Sequence, residues 1–388
     1  MKDVRTWIEI DARALRHNAE QFFRLLPAST RLMAVIKSNA YGHGLVSTAK
    51  LLADIARNVR SRTSHKMKEE KIWFGVDSIV EALRLRHQGI KNPILVLGHT
   101  LPSRVVEAAS RDITLTVSNF DALAALAGVR PRPAFHLKVD TGMHRQGFMP
   151  DDILRLIAAI KRKKLIPTAV YTHFASAKNT NDPSYTLFQF KQFRRIVSSF
   201  RQAGFQHLMC HAAASGATLL FPETHLDMVR VGMGLYGYWP SPEARINNKN
   251  KKIKVDLQPV LTWKTIIAEI KDIPAGAKIG YDETEAVKRK SRIAVLPIGY
   301  WHGYDRGLSS IGEVLIQGKR AKVLGRVSMD MIVIDATDIP KASVGDEVVL
   351  IGRQGKNTIF ADELAAKINT TAYEFLTRIN PLIRRVVV

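Results

Sequence analysis

The sequence predicts an α/β protein, a (β/α)8 barrel followed by a second, smaller, mainly β domain. Three observations predict it. Eight short apolar runs alternate with helix-spaced amphipathic segments between residues 32 and 231, the pattern of parallel strands joined by crossover helices. Lys37, Lys138, Arg145, His173, Ser215 and Arg230 stand at or just past the ends of different runs, where such barrels place their chemistry. Beyond Gly237 the texture changes to short β-branched runs separated by glycine turns. Pattern alone also admits a doubly wound sheet; the gathering of polar residues at run ends favours the barrel.

At 388 residues, with 46% hydrophobic content, the chain has the length of two domains and apolar mass for a sizeable core. The expected division is a barrel over 1–238 and a β domain over 239–388. The opening residues carry charges and no apolar h-region, so no signal peptide is expected. No run of about 18 apolar residues occurs, so no membrane span is expected either. Cys210 is the only cysteine, which excludes intrachain disulfides and cysteine-rich metal sites. A cytoplasmic protein without a metal fits best. The net charge of +23 is the unusual feature. Its cations cluster at 57–71, 161–164, 249–254 and 288–290 without interleaved aromatics, so they read as solvated faces and not as a nucleic-acid platform.

The elements follow in order. Asp11 can cap a helix whose apolar positions Leu15, Ala19, Phe22, Phe23 and Leu26 keep helical spacing. Candidate barrel strands are 32–36, 72–76, 94–97, 113–117, 134–139, 166–172, 208–211 and 228–231. The clearest helix carries Ile153, Leu156, Ile157 and Ile160 after Pro150. The Trp239-Pro240-Ser241-Pro242 stretch and 247–250 read as linker and loop, and 57–71 reads as an exposed basic insertion. Strands are expected at 292–296, 313–316, 323–324, 331–334 and 347–351, with a short helix at 362–367.

The first run ends on Lys37, in Ala34-Val35-Ile36-Lys37-Ser38-Asn39-Ala40-Tyr41-Gly42-His43-Gly44. An amine at the end of a buried strand is only partly solvated, which favours the neutral form that makes a Schiff base or takes a proton. This string resembles the pyridoxal-phosphate attachment motif of the alanine racemases, and the resemblance extends along essentially the whole chain. It implies that Lys37 carries pyridoxal 5'-phosphate as an internal aldimine. It further implies that Tyr41, Ser215, Gly232 and Met233 contact the phosphate. The last three lie in His211-Ala212-Ala213-Ala214-Ser215-Gly216 and Arg230-Val231-Gly232-Met233-Gly234, the two loops where barrels often bind phosphate.

The same resemblance assigns the remaining roles. Arg230 faces the pyridine nitrogen; an arginine can only donate there, so the ring stays unprotonated and is a poor electron sink. That suits racemisation, where the proton must return and transamination must be suppressed. Lys37 serves one face of the substrate α-carbon, and Tyr281, supplied by the partner of a head-to-tail homodimer with shared sites, serves the other. His173 orients that tyrosine, with Arg230 behind it. Arg145 reaches the cofactor and the substrate carboxylate, where a planar bidentate cation orients the substrate. Lys138 matches a lysine often carbamylated in the family. Met329, in Val327-Ser328-Met329-Asp330, and Tyr300 line the substrate entrance. The implied function is interconversion of L- and D-alanine, supplying D-alanine for peptidoglycan. The close rival is a racemase of wider scope, acting on serine or lysine, which pocket size decides. A second is a cofactor-holding protein without catalysis, against which Tyr281 with the Met329 segment argues. A third is a nucleic-acid-binding role driven by the net charge. Two departures stand out: His302 occupies a usual aspartate position, and Asn380-Pro381 occupies a place where some members supply another phosphate-contacting tyrosine.

Overall fold

In the computed structural model the described residues are 4–59, 72–179, 181–248 and 253–388. They form two compact units. The larger comprises Leu15–Ala40 and Leu45–Gln258; the smaller comprises Met1–Ala14, Tyr41–Gly44 and Pro259–Val388. The second unit is therefore not one continuous piece of sequence.

Strand β1 (Thr6–Ile10) belongs to the smaller unit. The larger unit is a closed parallel barrel of β2 (Arg31–Val35), β3 (Ile72–Val76), β4 (Ile94–Val96), β5 (Thr114–Val117), β6 (Phe135–Lys138), β7 (Ala169–Tyr171), β8 (Met209–Ala214) and β9 (Met228–Val231). β2 pairs with both β3 and β9, which closes the ring. The eight runs read from the sequence are these eight strands, so the doubly wound alternative falls away. Their ends shift by a few residues, most at 166–172, where only Ala169–Tyr171 is paired. The chain is wholly buried along much of these strands, including Leu32, Phe74, Leu95, Leu137 and Val229, as a parallel sheet covered on both faces requires. β8 carries a register shift between His211 and Ala214, a local bulge directly before Ser215.

The smaller unit continues with β10 (Leu261–Ile266), β11 (Glu269–Ile273), β12 (Lys278–Ile279), β13 (Glu285–Ala286), β14 (Ser291–Leu296), β15 (Glu313–Ile316), β16 (Lys319–Leu324), β17 (Ile332–Asp335), β18 (Glu347–Gln354), β19 (Asn357–Ile359) and β20 (Arg384–Val387). Its main sheet runs β11-β14-β17-β16-β15-β18-β10-β1-β20, with β19 beside β18. β1 and β20 pair in parallel, Ile8 opposite Arg385. The sequence reading assigned no strand before Asp11 or after residue 367. Both segments find their pairing partners only across the length of the chain.

Asp11 caps the first helix as expected, its Oδ1 accepting the N–H of Arg13 and Ala14. Pro150 opens a 3-10 turn that leads into the helix Ile153–Arg162. The stretch read as linker and loop is corrected in part: residues 239–241 are irregular, but Pro242–Asn248 is helical and buries Ala244, with the Ser241 hydroxyl accepting the Ala244 N–H at its start. The basic insertion lies outside the described residues except at 57–59, where the helix Leu45–Val59 runs into it. Among the described residues no helix is long and apolar enough to cross a membrane.

Candidate active site

Lys37 follows β2 and opens a turn of a kind L-residues rarely adopt. Ser38, Asn39, Ala40 and Tyr41 have φ of 55°, 55°, 54° and 51°, four consecutive left-handed residues without a glycine. Each costs about 1–2 kcal/mol, so neighbouring groups must hold the turn. Within the barrel unit, Ala40 donates to the Ile36 carbonyl at 2.8 Å. Glu81 accepts the N–H of Asn39 at 3.2 Å and, through its other oxygen, that of Asp77 at 2.9 Å. Asn39 in turn accepts the N–H of Leu45 at 2.9 Å. The Lys37 ammonium lies 3.6 Å from the Asp77 carboxylate, with the lysine side chain 37% exposed. It is thus half-solvated at a strand end, as the sequence indicated. The pairing with Asp77 was not legible there.

Arg230, on β9, is buried and surrounded by neutral acceptors. Nη1 donates to His211 Nδ1 at 2.8 Å, while Nη2 donates to the carbonyls of Thr172 at 2.6 Å and Ala212 at 2.8 Å and reaches His173 Nδ1 at 3.3 Å. None of these partners is a carboxylate, and burial lowers the guanidinium to about 10. Because His211 Nδ1 accepts, its Nε2 carries the proton and donates to His136 Nδ1 at 3.1 Å. Burial, then the charge of Arg230, pushes His136 down to about 3 and His211 well below its usual value. Both stay neutral. His173 is held to about 3 by burial and by the cations Arg230, Arg145, Lys138 and Lys37. Its Nδ1 faces Arg230, which leaves Nε2–H as a donor.

Arg145 rides on a loop organised by Asp140. One Asp140 oxygen accepts the N–H groups of Gly142, Met143 and His144, and the other accepts that of Arg145 at 3.0 Å. Burial would raise this carboxyl, but the four N–H donors outweigh it and hold it below the usual range. Lys138 donates to Gln146 at 2.8 Å. Burial, then Arg145 and Arg230, bring Lys138 down to about 8 despite Asp140. Lys138, Arg145 and His173 line one small cavity. Two residues of the helix Ser184–Gln202 fasten the loops that carry these groups. Gln189, fully buried, accepts the Ala175 N–H at 2.9 Å, and Tyr185 donates its hydroxyl to the Gly142 carbonyl at 2.6 Å. The sequence reading missed both. Only the i,i+4 spacing could have hinted that they share a face.

Ser215, Gly232 and Met233 come together at the ends of β8 and β9, the Gly232 N–H donating to Ser215 Oγ at 3.0 Å. A Cβ at Gly216 would stand 3.1 Å from the Ala177 carbonyl oxygen, so the backbone lies open and close-packed there. Glycine amides, a hydroxyl and no carboxylate make a donor set suited to a phosphate. With a lysine at a strand end and a buried arginine whose partners among the described residues are neutral acceptors, the residues present fit a pyridoxal phosphate.

In the smaller unit Tyr281, Tyr300 and Met329 line one cavity of about 840 Å³, together with Arg306, Arg326 and Arg378. Tyr281 is 69% exposed and follows Gly280, whose φ of +72° suits glycine. The two departures now have structural explanations. His302 is buried and accepts the Gly299 N–H at 3.2 Å. It thereby closes the turn that presents Tyr300, so burial and not solvent sets its environment. Asn380 braces the same turn, donating to the Trp301 carbonyl at 3.1 Å. A further tyrosine does lie near Tyr41, but it is Tyr373, edge-on at 6.1 Å between ring centroids. That corrects the expectation attached to Asn380-Pro381.

The family model for the alanine racemase N-terminal domain matches residues 10–240, and that for the C-terminal domain matches 260–387. An alanine racemase of Leptospira interrogans is 37% identical over 394 residues, covering 100% of this chain and 97% of that protein. One from Desulforamulus reducens is 38% identical over 386 residues, covering 98% of each. The crystal structure of alanine racemase from Bacillus anthracis with bound L-Ala-P has a TM-score of 0.88 at 32% identity, covering 99% of this chain and 95% of that one.

Proposed function

Because this chain belongs to the alanine racemase family, we propose that it interconverts L-alanine and D-alanine with pyridoxal 5'-phosphate held on Lys37. The observation that carries this reading is the setting of Arg230, a buried cation whose partners are all neutral acceptors. Such a group can donate to a ring nitrogen and cannot protonate it at neutral pH. Tyr41, Ser215, Gly232 and Met233 hold the phosphate, and Arg145 and Arg230 hold the ring. The bound cofactor withdraws electrons from the substrate and so acidifies its α-C–H.

The chain's own groups handle the proton. Lys37 Nζ takes it from, or returns it to, one face of the α-carbon. The hydroxyl of the partner subunit's Tyr281 acts on the other face, which requires a head-to-tail homodimer with shared sites. His173 Nε2–H orients that hydroxyl, because Nδ1 is engaged by Arg230. Arg145 orients the substrate carboxylate with the Met329 main chain, and Tyr300 lines the entrance. Lys138 stands beside Arg145 and fits the carbamylated lysine of the family. The product serves peptidoglycan synthesis in the cytoplasm.

The test is the optical rotation of L-alanine incubated with purified protein and pyridoxal phosphate. Rotation should decay to zero with D-alanine as product, and Lys37→Ala should abolish the decay. Substantial racemisation by that variant would overturn the reading.

A further inference from the structure

Arg385 is a partly buried arginine whose donors are spent on main-chain carbonyl oxygens. Nε and Nη2 converge on the Gly42 oxygen at 3.1 and 3.0 Å. Nη1 donates to the carbonyls of Asn380 at 2.8 Å and Ile383 at 2.5 Å, and Nη2 also reaches that of Ile379 at 3.4 Å. Burial lowers this guanidinium to about 10. Gly42 is enclosed from a second side as well. Its φ is +86°, and a Cβ there would lie 2.2 Å from the Leu376 carbonyl oxygen. Tyr373, on the same helix Ala372–Thr377 as Leu376, packs edge-on to Tyr41. The C-terminal segment thus grips the end of the left-handed turn through an arginine, a carbonyl and an aromatic ring. The register of β20 on β1, Arg385 opposite Ile8, fixes the arginine in place.

We infer that Arg385 is a positioning residue for the cofactor turn: by fastening the Gly42 carbonyl it holds Tyr41, and through the continuous turn Lys37, in the geometry that receives pyridoxal phosphate. This rests on the reading of Lys37 and Tyr41 as cofactor-binding residues. A strained run of non-glycine residues persists only when its surroundings over-determine it, and Arg385 supplies that restraint from the far end of the chain. Arginine suits the task because its rigid fork spans several carbonyls at once, whereas lysine has a single nitrogen.

The experiment strips the cofactor from the full-length protein and titrates it back, comparing wild type with Arg385→Met, Arg385→Lys and Tyr41→Phe. Arg385→Met should raise the pyridoxal phosphate Kd roughly tenfold, and Arg385→Lys should fall between it and wild type. Hydrogen exchange of residues 38–44, measured on cofactor-free protein, should speed up in both Arg385 variants while exchange in the barrel strands stays unchanged. If Arg385→Met fails to fold, the Arg385→Lys exchange data decide. Wild-type affinity in Arg385→Met beside weakened binding in Tyr41→Phe would overturn the inference and leave the Tyr41 reading intact. Wild-type affinity in Tyr41→Phe would remove that reading, and the clamp would then stand or fall on exchange at 38–44.

Discussion

Arg230 donates to Nδ1 of His211 at 2.8 Å, and that one contact fixes the protonation of two further imidazole nitrogens. His211 can then donate only from Nε2, and the nitrogen of His136 that faces it must accept. A buried cation is thereby balanced by dipoles and lone pairs instead of a carboxylate. Replacing Arg230 with Lys keeps the charge but cannot reach acceptors on β8 and the loop after β7 together. We expect kcat/KM to fall about 100-fold, corresponding to about 2.7 kcal/mol of lost stabilisation. Steady-state kinetics with added pyridoxal phosphate will measure it, and a loss under threefold would remove Arg230 from the chemistry.

Asp140 makes stability depend on pH in acid. Its folded-state carboxyl titrates below the unfolded one, so its contribution is present above about pH 4 and is lost as pH falls through the lower folded value. Urea midpoints between pH 2.5 and about 6 should therefore drop steeply in wild type. Asp140→Asn should be less stable at neutral pH and should show a shallower acid slope. An identical slope in both proteins would place the acid sensitivity elsewhere.

Gln189 is fully buried and satisfies the Ala175 N–H beside His173. Gln189→Leu fills similar space but leaves that donor unpaired, at a cost of about 1–3 kcal/mol. Chemical denaturation will show the loss. Gln189→Glu keeps an acceptor for Ala175 and should recover part of the stability. If both variants lose equally, the hydrogen bond is not the cause.

The left-handed turn offers two opposite substitutions. Ser38 is exposed at φ 55°, so Ser38→Gly should relieve strain and stabilise the fold by up to about 1 kcal/mol. Gly42→Ala would place a methyl carbon 2.2 Å from the Leu376 oxygen and should destabilise by about 3 kcal/mol or more. Thermal unfolding of the pair should move Tm in opposite directions. Destabilisation by both would mean that the Ser38 side chain matters more than its backbone.

The sequence by itself determined the barrel and five strands, β14 to β18, of the ten-stranded sheet in the smaller unit, and it singled out the polar residues at the strand ends. These are local signals: runs of buried β-branched residues, helix-spaced apolar faces, glycines at turns, and reactive side chains placed where strands stop. What only the tertiary structure decided involves partners on different elements, some of them at opposite ends of the chain. β1 and β20 become strands because they pair with each other and β1 pairs on its other side with β10. Tyr373, Gln189, Glu81 and Arg385 acquire their roles by meeting Tyr41, Ala175, Asn39 and Gly42. His302 is a buried brace and not an entrance charge because its turn folds inward. A hydrogen bond between residues hundreds of positions apart leaves no periodicity in the sequence. The left-handed turn after Lys37 goes further, since its residues individually disfavour the conformation that their surroundings impose.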